Sequence, residues 1–369
     1  AGRMAARPVV SVVRASEGVA EAVGRAGLAD VFEPGQRVTI KPNWHGGHGF
    51  TSPEVVVAAA RYVRGRGARE VVVGDGPFYG KSREENAAYV DAMGVRGPLA
   101  ELGARVADFH DEPFALRRDL SPDLPETVGF STLATDCDVL VNLPVMKTHF
   151  GTLVTLGMKN LKGCLRPEDK AALHQLELHA ALVALNGLLQ PAVHLLDATT
   201  AYEGLGPGNA APVDLGLLLC SDNAVALDAV AASFMGIEPR QVKLLAMAAK
   251  AGLGPARLED IEVRGERLEA HRRAFELPFV AFRRKYPSLA LCHEHACSGC
   301  LGNFFSALAF AGQPPREDYP AIQLGRGHPP AGSLLIGDCA RRRAEGHPSV
   351  PGCPPKIADI MKAMTGQDG

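Results

Sequence analysis

What most constrains the fold of this chain is an alternation running through its first two hundred residues: short β-branched apolar runs separated by stretches with helical spacing. Val9 to Val13 is a buried-type strand pattern, Gly18 to Ala29 has helical spacing, and Arg37 to Ile40 is again strand-like, running into Lys41-Pro42-Asn43. Pro53 to Tyr62 predicts a helix capped by Ser52, with Pro53 at the first helical position, where a missing N–H costs nothing. Glu70 to Val73 predicts a strand that ends in the turn Gly74-Asp75-Gly76-Pro77. Asp138 to Leu143, Val193 to Leu196 and Leu215 to Leu219 read as further strands; His174 to Leu189, Ala224 to Met235 and Gln241 to Ala251 read as helices. Strands spaced by helices of this length build parallel βαβ units. The expected fold is therefore α/β, a mostly parallel sheet flanked by helices. Functional residues of such a sheet gather beyond the carboxyl ends of its strands, and Lys41, Asn43, Asp75, Asn142, Lys147 and Asp197 fall at or just after such ends.

The texture changes near Glu276, after which Cys, His, Pro and Gly dominate and periodic segments are short: helices at Asn303 to Ala311 and Ile357 to Met364, a strand at Ser333 to Ile336. With 369 residues the chain exceeds the size of one hydrophobic core. Two domains are expected, an α/β domain over 1–275 and a smaller cysteine-rich domain over 276–369.

A formal charge of -2 gives no electrostatic case for a nucleic-acid partner, and Arg341-Arg342-Arg343 reads as a solvated face. No run of about eighteen apolar residues occurs, so no membrane span is expected. Ala1-Gly2-Arg3-Met4 carries no apolar core of an export signal, and Met4 reads as the natural start. The expected location is the cytoplasm, a reducing compartment in which clustered thiols bind metal or do chemistry rather than form bridges.

Five of the eight cysteines lie between Cys292 and Cys353. Cys297-Ser298-Gly299-Cys300 spaces two thiols so that both reach one centre from a tight turn. Cys339 follows a strand-like run in Gly337-Asp338-Cys339, and Cys353 sits in Gly352-Cys353-Pro354-Pro355, where prolines stiffen the backbone. Four thiolates are what a [4Fe–4S] cluster requires. Cys292 is a possible alternative ligand, because with Cys297 and Cys300 it makes the plant-type [2Fe–2S] spacing. Cys292-His293-Glu294-His295 could equally supply zinc ligands. Isolated Cys137, Cys164 and Cys220 read as small buried hydrophobes. Over residues 297–355 the pattern resembles the proximal-cluster site of hydrogenase small subunits and the related respiratory complex I subunit, with shorter intervals between its pieces.

A second constellation is cationic. Lys147, His149, Lys159, Asn160 and Lys162 fall within sixteen positions of mostly apolar, Gly-punctuated chain, and Lys41 and Asn43 join them at strand ends. Cations converging beside glycines supply charge-assisted donors for a carboxylate or phosphate. Asp197, Glu203 and Asp228 are candidate counter-charges, and His149 or a depressed Lys is a candidate acid or base. Trp44-His45-Gly46-Gly47-His48-Gly49 offers a loop that could bind a metal or cradle an anion. Gly204-Leu205-Gly206-Pro207-Gly208 is interrupted by proline and is not read as a nucleotide site. His174 and His179 read as surface or core residues rather than ligands.

Lys41-Pro42-Asn43, Thr51-Ser52-Pro53, Gly74-Asp75, Asn142 to His149, Gly157 to Gly163, Asp197 to Gly208 and Asp222 to Asp228 stand in the order seen in the domain-of-unknown-function 362 family. The resemblance spans roughly residues 37–235. It implies an uncharacterised iron–sulfur centre protein, although this chain lacks the family's repeated C-x2-C-x2-C-x3-C run. Together the two constellations predict an iron–sulfur oxidoreductase. A cluster on Cys297, Cys300, Cys339 and Cys353 would take electrons from a ferredoxin-like donor. Lys147, His149 and Lys159 are the catalytic candidates; Lys41, Asn43, Asn160, Lys162, Asp197 and Glu203 are expected to bind a small anionic substrate. The alternatives are a non-catalytic iron–sulfur carrier or scaffold, an iron–sulfur lyase or isomerase with only three cysteine ligands, and a structural zinc module on a metal-free enzyme.

Overall fold

Short strands rich in Val, Ile and Leu, buried on both faces, line up in the computed structural model as one large sheet. The structure describes residues 6–44, 49–76, 82–206, 209–311, 315–316, 318–342 and 346–366. His45 and His48 lie outside them, as do Pro77, Pro207, Gly208 and Arg343. In chain order the strands are β1 (Val9–Arg14), β2 (Arg37–Lys41), β3 (Glu70–Asp75) and β4 (Ala104–Asp108). A separate antiparallel hairpin follows, β5 (Phe114–Arg118) with β6 (Thr127–Ser131). Next come β7 (Val139–Asn142), β8 (Val145–His149), β9 (Leu153–Thr155), β10 (Val193–Leu205), β11 (Asn209–Ser221) and β12 (Glu262–Gly265). The main sheet runs β12-β1-β11-β10-β7-β2-β3-β4, with β8 pairing β10 and β9. Within the main sheet, β1/β11, β10/β11 and β8/β9 pair antiparallel and the other pairs among the described residues are parallel.

Side chains alternate across the sheet and feed a core on each face. On β11, Leu217 and Leu219 enter one core while Leu218 and Cys220 enter the other. The first is closed by the helices Leu178–Leu188, Ala224–Phe234 and Lys243–Lys250, the second by Gly18–Ala26 and Pro53–Gly65. Pro53–Gly65 buries Val55, Val56, Ala59, Ala60 and Val63 on one stripe, and Ser52 Oγ accepts from Val55 N, capping it as the sequence predicts.

Three elements differ from expectation. The helix expected over 174–189 begins only at Leu178 and runs to Leu188, because the Glu177 carboxylate caps it by accepting from Ala180 N at 2.7 Å, and a separate helix, Pro167–Ala172, precedes it. Lys147 lies inside a strand, β8, rather than after one. β10 and β11 are thirteen residues each, far longer than their apolar runs, because they continue as a hairpin beyond the body of the sheet.

The last segment forms a four-stranded parallel sheet, β13 (Ala290–Cys292), β14 (Ala321–Leu324), β15 (Leu334–Ile336) and β16 (Ser349–Val350). The helices Ser298–Phe310 and Ile357–Thr365 cover it, burying Phe304, Leu308, Ile360 and Met364 against Ile322 and Ile336. Phe150 of the main body stacks on Phe305, ring centroids 5.1 Å apart.

Candidate functional site

The parallel run β7-β2-β3 brings three strand ends out on one edge: Lys41 stands opposite Asn142, and Asp75 ends the neighbouring strand. Lys41 is fully buried, and its Nζ meets Asp75 Oδ1 at 2.7 Å. Backbone N–H groups fix that carboxylate, Trp44 N to Oδ2 and Gly76 N to Oδ1, each at 2.8 Å. Asn160 is the hub. Its Oδ1 accepts from Lys41 Nζ at 3.2 Å and Asn43 Nδ2 at 2.9 Å, and its Nδ2 donates to Asn142 Oδ1 at 2.8 Å. Lys147 Nζ donates to Asn43 Oδ1 at 2.9 Å and to the Gly49 carbonyl at 2.6 Å. The amide orientations follow from this network. Asp228 anchors the short helix Gly157–Asn160 by accepting from Gly157 N at 2.7 Å and Met158 N at 2.9 Å, and burial pushes its carboxyl up to about 7. Gly163 must be glycine, since a Cβ there would stand 2.6 Å from Lys41 Nζ and closer still to Asp75.

Electrostatics follow from burial. Lys147 is 1% exposed and Lys159 is half-buried beside it. Among the described residues the Lys159 ammonium makes no hydrogen bond or ion pair, and Lys147 donates only to neutral oxygens. Burial, then the Lys159 charge, brings Lys147 down to about 7; burial and then Lys41 bring Lys159 to about 8. Burial likewise lowers Lys170 to about 7 and Lys162 well below its ordinary value. His149 Nδ1 accepts from Gly151 N at 2.9 Å, so the neutral ring carries its proton on Nε2. Burial, reinforced by Lys159 and Lys147, keeps that imidazole neutral far below its usual range. Thr155 stands opposite Lys147 across the β8/β9 pair, and its buried hydroxyl has no partner among the described residues.

The cysteines gather at one end of the smaller sheet. Cys297 caps the helix Ser298–Phe310, which begins at the thiol pair, five residues earlier than the periodicity predicts. A hydrogen bond from Cys300 and the N–H groups of Cys300 and Gly299 lower Cys297 to about 5, against burial. Cys300 is raised by the same bond, by burial, and by charge on Cys297, Cys353 and Cys339. Cys339 and Cys353 follow the neighbouring parallel strands β15 and β16, whose loops are tied by Asp338 N to Gly352 O at 3.0 Å and Gly352 N to Asp338 Oδ1 at 2.9 Å. A Cβ on Gly337 would stand 3.0 Å from Cys300 Sγ. Cys292 ends β13, two strands across from β15. All of these thiols are free, and among the described residues no group of three or more His, Cys, Asp or Glu could hold a single metal ion.

The two constellations touch. Lys162 Nζ hydrogen-bonds His174 Nε2, and His174 Nδ1 meets Ser298 Oγ at 2.9 Å. His174, read from the sequence as a surface or core residue, is thus the bridge, freed for that role by the helix break before Glu177. No local signal marks it, because its partners are 12 and 124 positions away. His179 pairs with Glu177 instead.

Lys41, Asn43, Lys147, His149, Lys159, Asn160 and Lys162 come together as expected from strand ends and Gly-punctuated chain. Two carboxylates are engaged elsewhere. Asp197 accepts from Ser52 N at 2.7 Å and from Thr199, so it positions the start of the helix Pro53–Gly65. Glu203 pairs with Arg273 at 2.9 Å and accepts from Glu276 N at 2.8 Å. Asp75 and Asn142 were both legible in the sequence as strand-end residues, but not their partners, Lys41 for the first and Asn160 for the second. The buried Lys170–His110 contact at 2.8 Å was not legible either.

The family model described as "Domain of unknown function (DUF362)" matches residues 38–233. A thylakoid-associated protein of Synechocystis sp. is 32% identical over 246 residues, 63% of this chain and 73% of that protein. Among solved structures, the lactate racemase apoprotein from Thermoanaerobacterium thermosaccharolyticum aligns with a TM-score of 0.40 at 14% identity, over 59% of this chain and 55% of that one. A protein from Thermotoga maritima aligns with a TM-score of 0.38 at 13% identity, over 84% of this chain and 69% of that one.

Proposed function

The chain belongs to the domain-of-unknown-function 362 family, and on that premise we propose that it is an iron–sulfur oxidoreductase acting on a small carboxylate or phosphate in the Lys/His/Asn cleft. One observation carries the reading: the first turn of the cysteine-bearing helix is wired to the buried lysines through Ser298, His174 and Lys162. The donor set suits a [4Fe–4S] cluster better than a lone cation. Cys297, Cys300, Cys339 and Cys353 influence one another electrostatically, and Cys300 Sγ lies 3.0 Å from where a Cβ on Gly337 would stand. Cys297, Cys300, Cys339 and Cys353 would hold the cluster. When bound, it supplies single-electron transfer.

The chain's own residues do the rest. Lys147 and Lys159 bind the anion, with Lys41, Asn43, Asn160 and Lys162 fixing their positions. His149 holds its proton at Nε2 because its Nδ1 is occupied, so the neutral ring can donate a hydrogen bond there, while the proton needed as the substrate is reduced comes from Lys147 or Lys159, lowered to about 7 and about 8. A ferredoxin-like protein is the proposed electron donor and a reducing compartment the proposed location. The named relative is thylakoid-associated, and among the described residues no helix is long and apolar enough to cross a membrane.

Burial of Lys41, Lys147, Lys162 and Lys170 speaks against the alternative of a carrier or scaffold that docks proteins through these cations. A zinc module and a lyase with a three-cysteine cluster are separated from the proposal by one preparation. Chain purified anaerobically should be brown, contain iron and sulfide but no zinc, and bleach with dithionite. Cys353→Ser should lose most of the iron. A colourless zinc protein, or a Cys353→Ser variant with full cluster iron, contradicts the assignment.

A further inference from the structure

We propose that the cleft takes a ligand carrying two negative charges, a dianion rather than a simple monocarboxylate, and that its binding draws a proton into the protein. This rests on the reading above that the cleft binds an anion, and it narrows the class.

At fixed geometry the positive charges of the cleft outnumber the negative ones. Lys41 is matched by Asp75, contact for contact, so that pair is neutral overall. Lys147 and Lys159 remain. Lys147 reaches only an amide oxygen and a backbone carbonyl, and Lys159 reaches nothing among the described residues. The groups that face them do not add a carboxylate beyond Asp75. Lys41, Lys162, His149 and His174 bear on Lys159 or Lys147 from β2, from the 161–164 turn, from β8 and from the helix break. One ammonium group removed from water and a second half-buried beside it, neither with a counter-ion among the described residues, favour a partner with two charges over one with a single charge. Thr155, opposite Lys147, adds a buried hydroxyl still lacking a partner. A phosphate-like or dicarboxylate group satisfies both cations and leaves an oxygen for that hydroxyl; a monocarboxylate leaves one cation exposed to the same cost.

The proton follows by linkage. Burial and neighbouring ammonium groups lower Lys147 to about 7 and Lys159 to about 8. A dianion beside them favours the charged form, so binding near pH 8 must take up protons.

The test is calorimetry at pH 8 on the anaerobically purified full chain, at constant ionic strength, in two buffers of different ionisation enthalpy. The probes are sulfate (a dianion at every pH used), malonate and acetate. Sulfate or malonate should bind at least about tenfold tighter than acetate, with net proton uptake. Sulfate without malonate would select the phosphate-like shape, and malonate without sulfate the dicarboxylate. Lys159→Gln should weaken dianion binding by about ten- to a hundredfold, whereas Lys159→Arg should keep the affinity and lose part of the uptake, since guanidinium does not titrate here. Acetate binding as tightly as the dianions, or dianion binding with no proton uptake, overturns the inference and leaves the anion cleft standing. If none of the three binds, both fall.

Discussion

Lys41 and Asp75 show how a single pair can define a site. Two opposite charges are buried at 2.7 Å, each held by further hydrogen bonds. Removing one leaves the other charged in a dry setting, which typically costs about 3–5 kcal/mol. Asp75→Asn should therefore lower the urea unfolding free energy by that amount. The double variant Lys41→Met/Asp75→Leu should recover most of it; a single-variant loss under about 1 kcal/mol would mean the pair is solvated after all. Gly163 makes a sharper demand. Gly163→Ala drives a methyl into that ion pair, and overpacking of this kind costs about 1–3 kcal/mol. Thermal unfolding of that variant should shift down relative to a Gly24→Ala control, where a Cβ meets nothing within 4 Å and the backbone, like that of Gly163, is not left-handed.

Elements differ in how openly the sequence announces them. β2, β3 and β7 are legible because strands buried on both faces need apolar β-branched residues at their centres, and R-V-T-I-K, E-V-V-V-G-D and V-L-V-N carry Val, Ile or Leu there with their polar residues mostly at the ends. β8 is not, because V-M-K-T-H places a lysine and a histidine where a core strand would carry Val. Those two polar residues are buried with hydrogen-bond partners supplied by distant or neighbouring chain, which is why the strand's own composition does not announce it. The cationic cluster was readable as a set, from spacing and glycines. Its link to the cysteines was not, since His174 reaches Ser298 only through the fold. Ser298→Ala tests that link: the chain should retain its iron, while the rate at which dithionite-reduced protein passes electrons to a bound substrate should fall. A variant with unchanged rate would show that His174 and Ser298 are merely neighbours.

At the scale of the whole molecule, buried titratable groups shape stability against pH. Asp228, raised to about 7, keeps a proton that the unfolded chain releases near pH 4, so its contribution to stability falls as pH climbs between those values. Lys147 and Lys170, lowered to about 7, and Lys159, lowered to about 8, behave in the opposite sense. Above those values the unfolded chain binds more protons than the folded one, so stability rises toward pH 10, by at most about 1.4 kcal/mol per pH unit for each lysine. Unfolding followed by circular dichroism should show Asp228→Asn flattening the acid limb and Lys147→Met flattening the alkaline limb. An alkaline limb unchanged in Lys147→Met would mean this lysine is charged and solvated in the folded protein. The same geometry sets the sharpest test of the cluster: anomalous scattering from crystals grown without oxygen, recorded on both sides of the iron and zinc absorption edges. The account predicts one iron peak bounded by the sulfurs of Cys297, Cys300, Cys339 and Cys353. A zinc peak there, or iron bound at any other group of residues, would contradict it.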